Sequence, residues 1–233
     1  MTNILLIETA TAICSVGISQ NGELIALRES SEFRSHAEMV SVFIAELMSE
    51  TNIDYTELQA VAVSKGPGSY TGLRIGVSTA KGICYGADKP LIAIETLFAM
   101  TSGFINENKE KLQTTDLFCP MIDARRMEVY CSINDFNKQV LVETNALIID
   151  NESFVEQLSN HRIWFFGDGA AKIESIINHH NALIVKDFNP SVKYMATLAQ
   201  TAFDLQQFEN VAYFEPFYLK DFVAALPKVK GLK

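Results

Sequence analysis

The chain has 233 residues, 48% hydrophobic and 20% charged, enough for one large or two small domains around a core of ordinary size. Its 19 basic and 28 acidic residues leave a formal charge of −9. That charge excludes a global field that draws in nucleic acid, leaving only local basic spots at Arg125-Arg126 and in the tail, Lys228, Lys230 and Lys233.

From the N-terminus, Met1-Thr2-Asn3-Ile4 has no basic stretch, so no signal peptide is expected. No apolar run approaches the roughly 18 residues of a membrane span. The four cysteines (Cys14, Cys84, Cys119, Cys131) are scattered and suit a reducing cytoplasm. Asn3 to Ile7 predicts a buried strand, and Cys14 to Ser19 alternates Val16 and Ile18 with small polar residues, as a half-covered strand does. Asn21-Gly22 signals a hairpin, so Glu23 to Arg28 returns as a third strand. Ser35-His36-Ala37-Glu38 fits a capping box opening a helix to about Ser49. Its Met39, Val40, Phe43, Ile44, Leu47 and Met48 sweep out about half the circumference, beyond the roughly 100° stripe of one core contact. That helix is therefore expected to meet a second surface.

A strand from Ala60 to Ser64 runs into Gly66-Pro67-Gly68 and then a helix rich in small residues. Gly66 precedes proline and is expected extended; Gly68 is expected to take the positive φ of a sharp turn. Gly72, Gly76 and Ala80 recur every four residues and share one helical face, which another helix can approach closely. A glycine inside a helix costs roughly 1 kcal/mol against alanine, so Gly72, Gly76 and Gly82 imply a compensating reason. Leu91 to Ile94 closes the first half as a strand.

A polar stretch around Asn106 to Thr115 reads as an exposed helix end or linker. Beyond it the element order returns. Leu117 to Ile122 and Met127 to Ile133 flank Asp123-Ala-Arg-Arg126, with Gln139 to Val142 as a third strand. A helix near Ser153 to Ser159 precedes the strand Ile163-Trp-Phe-Phe166. Gly167-Asp168-Gly169 turns into a helix through Asn178, and Leu183 to Val185 is a strand. Asn189-Pro190 is a cap and first position for a last helix, Ser191 to about Phe208. Glu215 to Lys220 reads as an extended tail. Each half is β-β-β-α-β-α-β, which describes an α/β, two-lobed actin/hexokinase-like architecture with a mixed sheet per lobe, divided as residues 1–105 and 106–233.

The glycine-rich stretch is not a Walker A loop, because no Gly-Lys-Ser/Thr follows Gly66 at the required spacing. It is not Gly-x-Gly-x-x-Gly either, since Thr71 stands in the third glycine's place. Two readings stay open: a tight turn with close packing, or an anion held by the amides of Gly66, Gly68 and Ser69, the helix N-terminus and Arg74. Glu8 ends the first strand, with Thr9, Thr11 and Ser15 nearby, where actin-like ATPases place a metal- and phosphate-handling aspartate. That position supports a nucleotide-dependent transferase or kinase as one function; a hydrogen-bonded strand end is the plainer reading. His36 has Val40 where a second metal-binding histidine would stand, so no metal site is expected. A peptidase using Ser69 or His36 lacks a Gly-x-Ser-x-Gly elbow. Asp123-Ala-Arg-Arg126 is either a plain hairpin or a recognition spot for phosphate or a carboxylate.

Gly66-Pro-Gly-Ser-Tyr-Thr-Gly-Leu-Arg-Ile-Gly76 with Thr79-Ala-Lys-Gly82 resembles the hallmark of the bacterial TsaB (YeaZ) family. In the same order come Ile7-Glu8-Thr9, Cys14-Ser-Val16, Ser35-His-Ala-Glu38, Asp123 to Tyr130, Gly167-Asp-Gly-Ala170 and Pro216 to Lys220, so the resemblance spans the chain. It implies a non-catalytic subunit that pairs with TsaD, joined by the ATPase TsaE, to make N6-threonylcarbamoyladenosine in tRNA. It further implies that ATP and metal belong to the partners, that tRNA is met only through the complex, and that the chain alone can pair with itself. The family is also filed as glycoprotease-like, for which this chain lacks residues. In it the first two helices form the dimer face, which here implies His36, Met39, Val40, Phe43, Leu47, Gly72, Arg74, Gly76 and Ala80 as interface residues.

Overall fold

The computed structural model describes residues 1–31 and 36–220. Ser35 of the expected capping box and the tail lysines Lys228, Lys230 and Lys233 lie outside the described residues.

The first sheet starts with an antiparallel meander. β1 (Asn3–Glu8) pairs with β2 (Cys14–Gln20), and β3 (Glu23–Ser30) returns through Asn21-Gly22, both at positive φ. After α1 (His36–Thr51) the chain enters β4 (Ala60–Gly66), parallel to β1. After α2 (Tyr70–Ala87) it enters β5 (Leu91–Glu95), parallel to β4. The strand order is β3-β2-β1-β4-β5.

α3 (Thr96–Asn108) leads to the second sheet. There β6 (Leu117–Asp123), β7 (Glu128–Asn134) and β8 (Val140–Ile148) form the meander. α4 (Val155–Asn160), β9 (Ile163–Phe166), α5 (Ala171–Glu174) and β10 (Ala182–Val185) complete the lobe. The order β8-β7-β6-β9-β10 repeats the first sheet strand for strand, with the same parallel and antiparallel pairs. The fold is a two-lobed, duplicated α/β fold, in the order of elements that the sequence led one to expect of an actin/hexokinase-like architecture.

One face of the first sheet is covered by α1 and α2 through Leu5, Ile7, Val61 and Val63. The other, Ile4, Leu6, Ala60 and Ala62, is covered by α6 (Ala196–Asp204) and a 3-10 turn, Val192–Tyr194. The last helix therefore packs on the first lobe although it follows the second in sequence. α3 joins the lobes: Phe104 stacks on Phe166 with ring centroids 4.2 Å apart, and Leu97 and Met100 share that core.

Four local expectations are corrected. α3 was expected only as a polar end near Asn106. It starts at Thr96 and is buried nearly all round from Leu97 to Ile105, so it has no polar stripe to mark it as a helix. β8 runs on to Ile148 because its polar middle, Glu143-Thr144-Asn145, sits on a sheet edge. α5 ends at Glu174 rather than Asn178. The last helix is broken, with Ser191 and not Asn189 capping: its Oγ accepts from the Lys193 amide at 3.2 Å.

The glycine turn is also rearranged. Gly66, not Gly68, takes positive φ (107°), and Gly68 is required because a Cβ there would run into the Ala10 carbonyl. Within α2 the glycines divide. A Cβ at Gly72 or Gly76 would collide with Thr9, whereas at Gly82 and Gly86 it would meet nothing. Urea denaturation should therefore show Gly76→Ala destabilised by about 2 kcal/mol or more through forced displacement of Thr9, and Gly82→Ala stabilised by roughly 0.5–1 kcal/mol. Equal effects at the two positions would contradict this division.

Candidate functional site

The end of β1 is a closed polar knot. Glu8 is buried, and its Oε1 accepts the Ala10 amide at 2.6 Å and the Ser64 hydroxyl at 2.8 Å. Burial pushes its carboxyl group up to about 7 despite those hydrogen bonds. The Thr9 hydroxyl donates to the Gly72 carbonyl at 2.8 Å, tying the strand end to α2. Thr9 and Gly66 are buried with Glu8, and none of the three lines the cleft between the lobes. Of the residues expected to handle a nucleotide or anion on this side, Thr11, Gly68 and Ser69 do. The Ser69 hydroxyl caps α2, accepting from the Gly72 amide at 3.3 Å.

That cleft holds about 480 Å³. One wall is Ala10 to Ala12, His36 and the start of α2; the other is Asp123 to Arg125, Tyr130 and Asp168, with Lys220 also lining it. Asp123 is paired with Lys172 at 2.8 Å, and Lys220 is paired with Glu128. Loss of water around Asp168, then the Asp123 charge, raises the Asp168 carboxyl above its ordinary value. His36 Nε2 lies 2.9 Å from the Thr11 carbonyl, so neither it nor Ser69 engages the other.

The second candidate surface is the pair α1 and α2, where most of the expected interface residues are buried within the chain itself. Met39, Val40 and Leu47 are buried in the first lobe's own core, with Phe43 half-buried against it. The wide apolar arc of α1 is filled from inside, by the sheet and α2. Gly72, Gly76 and Ala80 are buried as well, and the chain admitted by the two glycines is Thr9 rather than a partner helix. Only His36, Phe43 and Arg74 of the expected set reach the surface. Arg74 lies over the Tyr70 ring at 4.3 Å and donates to Tyr218 Oη at 3.3 Å.

The outward faces carry small residues beside the carboxylates Glu38, Glu46 and Glu50 of α1 and the Arg74 guanidinium of α2. α1 exposes Ala37, Ser41 and Ala45 around Val42; α2 exposes Ser78, Gly82 and Gly86 around Tyr85, which is 87% exposed. Ala37, Ile75, Ser78 and Thr79 line a shallow groove of about 470 Å³. The sequence signal for this face lay in Gly82 and Gly86, four apart and without an interior neighbour.

The family model for TsaD, tRNA N6-adenosine threonylcarbamoyltransferase, matches residues 29–228. The chain belongs to this family. Within it the chain falls in the TsaB (YeaZ) branch. It is 28% identical over 231 residues to the tRNA threonylcarbamoyladenosine biosynthesis protein TsaB of Haemophilus influenzae, covering 94% of this chain and 93% of that one. To TsaB of Escherichia coli it is 29% identical over 230 residues, covering 95% and 96%. The solved structure of YeaZ from Pseudomonas aeruginosa has the same fold, with a TM-score of 0.81 at 20% identity over 94% of this chain and 100% of that one.

The raised Glu8 pKa sets a pH dependence. The folded state holds this proton up to about 7 and the unfolded chain only to about 4.5, so the stability it contributes is complete below about 4.5 and lost as pH rises through about 7. The loss is on the order of 3 kcal/mol. Glu8→Gln keeps an acceptor without the charge, so its advantage over wild type should grow from pH 5 to pH 8 in chemical denaturation. Parallel stability curves for the two proteins would refute the assignment.

Proposed function

We propose that this chain is a non-catalytic subunit that binds and activates a TsaD-type transferase in the modification of tRNA to N6-threonylcarbamoyladenosine, with TsaE as a further component. The observation that carries the reading is the outward face of α1 and α2. Two exposed glycines, in a helix whose own fold asks for neither, are explained by a second helix pair lying close against them. The same face would serve a second copy of this chain when the partner is absent. ATP and metal chemistry are assigned to the partner subunits, and tRNA is engaged in the complex. The setting is cytoplasmic, and among the described residues no helix is long and apolar enough to cross a membrane.

Family membership and the likeness to threonylcarbamoyladenosine biosynthesis proteins support the pathway. A nucleotide-dependent transferase using Glu8 is less well supported, because Glu8 and Thr9 spend their hydrogen bonds inside the lobe and stand off the cleft. A glycoprotease-like peptidase is less well supported still, since the Ser69 hydroxyl serves as a helix cap.

Reconstitution of the tRNA modification with purified partners, with and without this chain, tests the role: product should depend on it. Gly82→Leu tests the face. The substitution improves helix propensity, so the melting temperature should hold or rise while affinity for the partner falls by about 2 kcal/mol or more, roughly 30-fold. Partner binding at wild-type affinity would show that α2 docks elsewhere.

A further inference from the structure

We infer that the tip of the β6–β7 hairpin, Arg125-Arg126, is where this chain grips the phosphate backbone of RNA. The inference rests on the proposed role in tRNA modification and goes beyond it, giving a chain of net charge −9 an RNA contact of its own.

Both arginines have positive φ, 72° and 52°, and they are the only adjacent non-glycine residues to do so among the described ones. Residues with a Cβ avoid this region, and tight hairpins fill it with asparagine and glycine. The chain uses Asn21-Gly22 in that way at its other meander, so arginine is not what the turn itself calls for. The backbone is nevertheless held firmly. The Arg125 amide donates to Asp123 Oδ1 at 2.6 Å, the Ala124 amide to the Glu128 carbonyl at 3.1 Å, and the Glu128 amide to the Arg125 carbonyl at 3.2 Å. Non-glycine residues kept at sparsely populated φ are a mark of functional positions.

Both side chains are exposed, and neither guanidinium has a hydrogen-bond or ion-pair partner among the described residues. Carboxylates stand close by, yet each is engaged otherwise. Asp123 is taken by Lys172 and Glu128 by Lys220, while Asp168 accepts from the Asp123 amide. The lysines take up two of these three carboxylates and leave both arginine forks free, the donor geometry that matches phosphate oxygens in pairs. Arg125 stands on the cleft rim and Arg126 outside the cleft lining. The pair therefore reads along the surface rather than into a pocket, which suits successive phosphates of a backbone better than one small anion. In a chain of net charge −9, a polyanion is best taken at such a locally concentrated spot.

The test uses the full chain in complex with its TsaD-type partner and unmodified tRNA as probe, with binding followed by fluorescence anisotropy between about 50 and 200 mM salt. Arg125→Asn with Arg126→Gly removes both charges and suits the turn, so the protein should melt no lower than wild type. Its complex should bind tRNA about tenfold more weakly, with a salt slope shallower by about 1.5, as two lost phosphate contacts require. Arg125→Lys with Arg126→Lys should retain most of the slope. Unchanged affinity and slope in the charge-free variant overturn the inference. So does a loss found only in calorimetry with the partner alone, which assigns the tip to a partner carboxylate, or only in calorimetry with ATP. A wild-type complex that neither binds nor modifies tRNA refutes the proposed role itself, so the two failures are distinguishable.

Discussion

Thr9, seated against the glycine face of α2, is the contact on which the first lobe is built. A Cβ at Gly72 or Gly76 would collide with it, and its hydroxyl closes a hydrogen bond to the Gly72 carbonyl across that gap. Because the helix comes so close, Glu8 is sealed behind it with Ser64 and the Ala10 amide as partners. The burial that raises its pKa follows from this approach. The glycines cost helix propensity, but they let α2 lie directly over the end of the central strand, where a larger side chain would hold it away from the sheet.

The duplication shows what this sealing means. Glu8 ends β1 and Asp123 ends β6, the equivalent strand of the second lobe. Gly66 closes β4 and Gly167 follows the equivalent strand β9, and the two hold nearly the same φ, 107° and 109°. The backbone plan is shared, while the carboxylates differ in fate. Glu8 is enclosed, whereas Asp123 stays on the cleft wall and binds Lys172. A cleft whose two strand-end acids are locked in a core and in a salt bridge has little acid left to offer a ligand, and this agrees with a subunit that works through its surface.

Much of this was legible in the residues. Hairpin chemistry at Asn21-Gly22 and the repeated order of elements led to the two-lobed fold without structural help, because each is a local signal tied to one geometry. The alternation in β2 marked a strand but misjudged its setting: Ser15 and Ser19 are buried too, since both faces of the sheet are covered. α3 was not legible: a helix buried on nearly all sides has no amphipathic stripe, and its residues read as featureless apolar chain. The small-residue face of α2 was half legible. The four-residue spacing of Gly72, Gly76 and Ala80 correctly announced a close approach, but spacing cannot say what approaches, and here it is the chain's own Thr9. The wide apolar arc of α1 has a similar internal account. A helix lying against both a sheet and a neighbouring helix fills a wide arc from within one lobe. Gly82 and Gly86, beyond the inward face, carry the outward signal because no interior neighbour accounts for them.

The C-terminal strap links the outward face of α2 to the cleft. Glu209 bridges the edge of β5, Lys81 on α2 donates to the carbonyls of Ala212 and Phe214, and the Phe217 amide donates to the Lys65 carbonyl at 2.7 Å. Tyr218 then packs on Tyr70 with ring centroids 4.9 Å apart and receives Arg74, and Lys220 crosses to Glu128 on the second lobe. Arg74 is exposed beside the groove between α1 and α2, so a partner docked there would touch a side chain one hydrogen bond from the strap. At Lys220 the strap stands one ion pair from the strand that carries Tyr130 into the cleft. The helix face, the cleft and the arginine tip that follows β6 are therefore a single mechanical neighbourhood. A partner seated on α2 would bear, through Tyr218 and Lys220, on the wall from which Arg125 and Arg126 project.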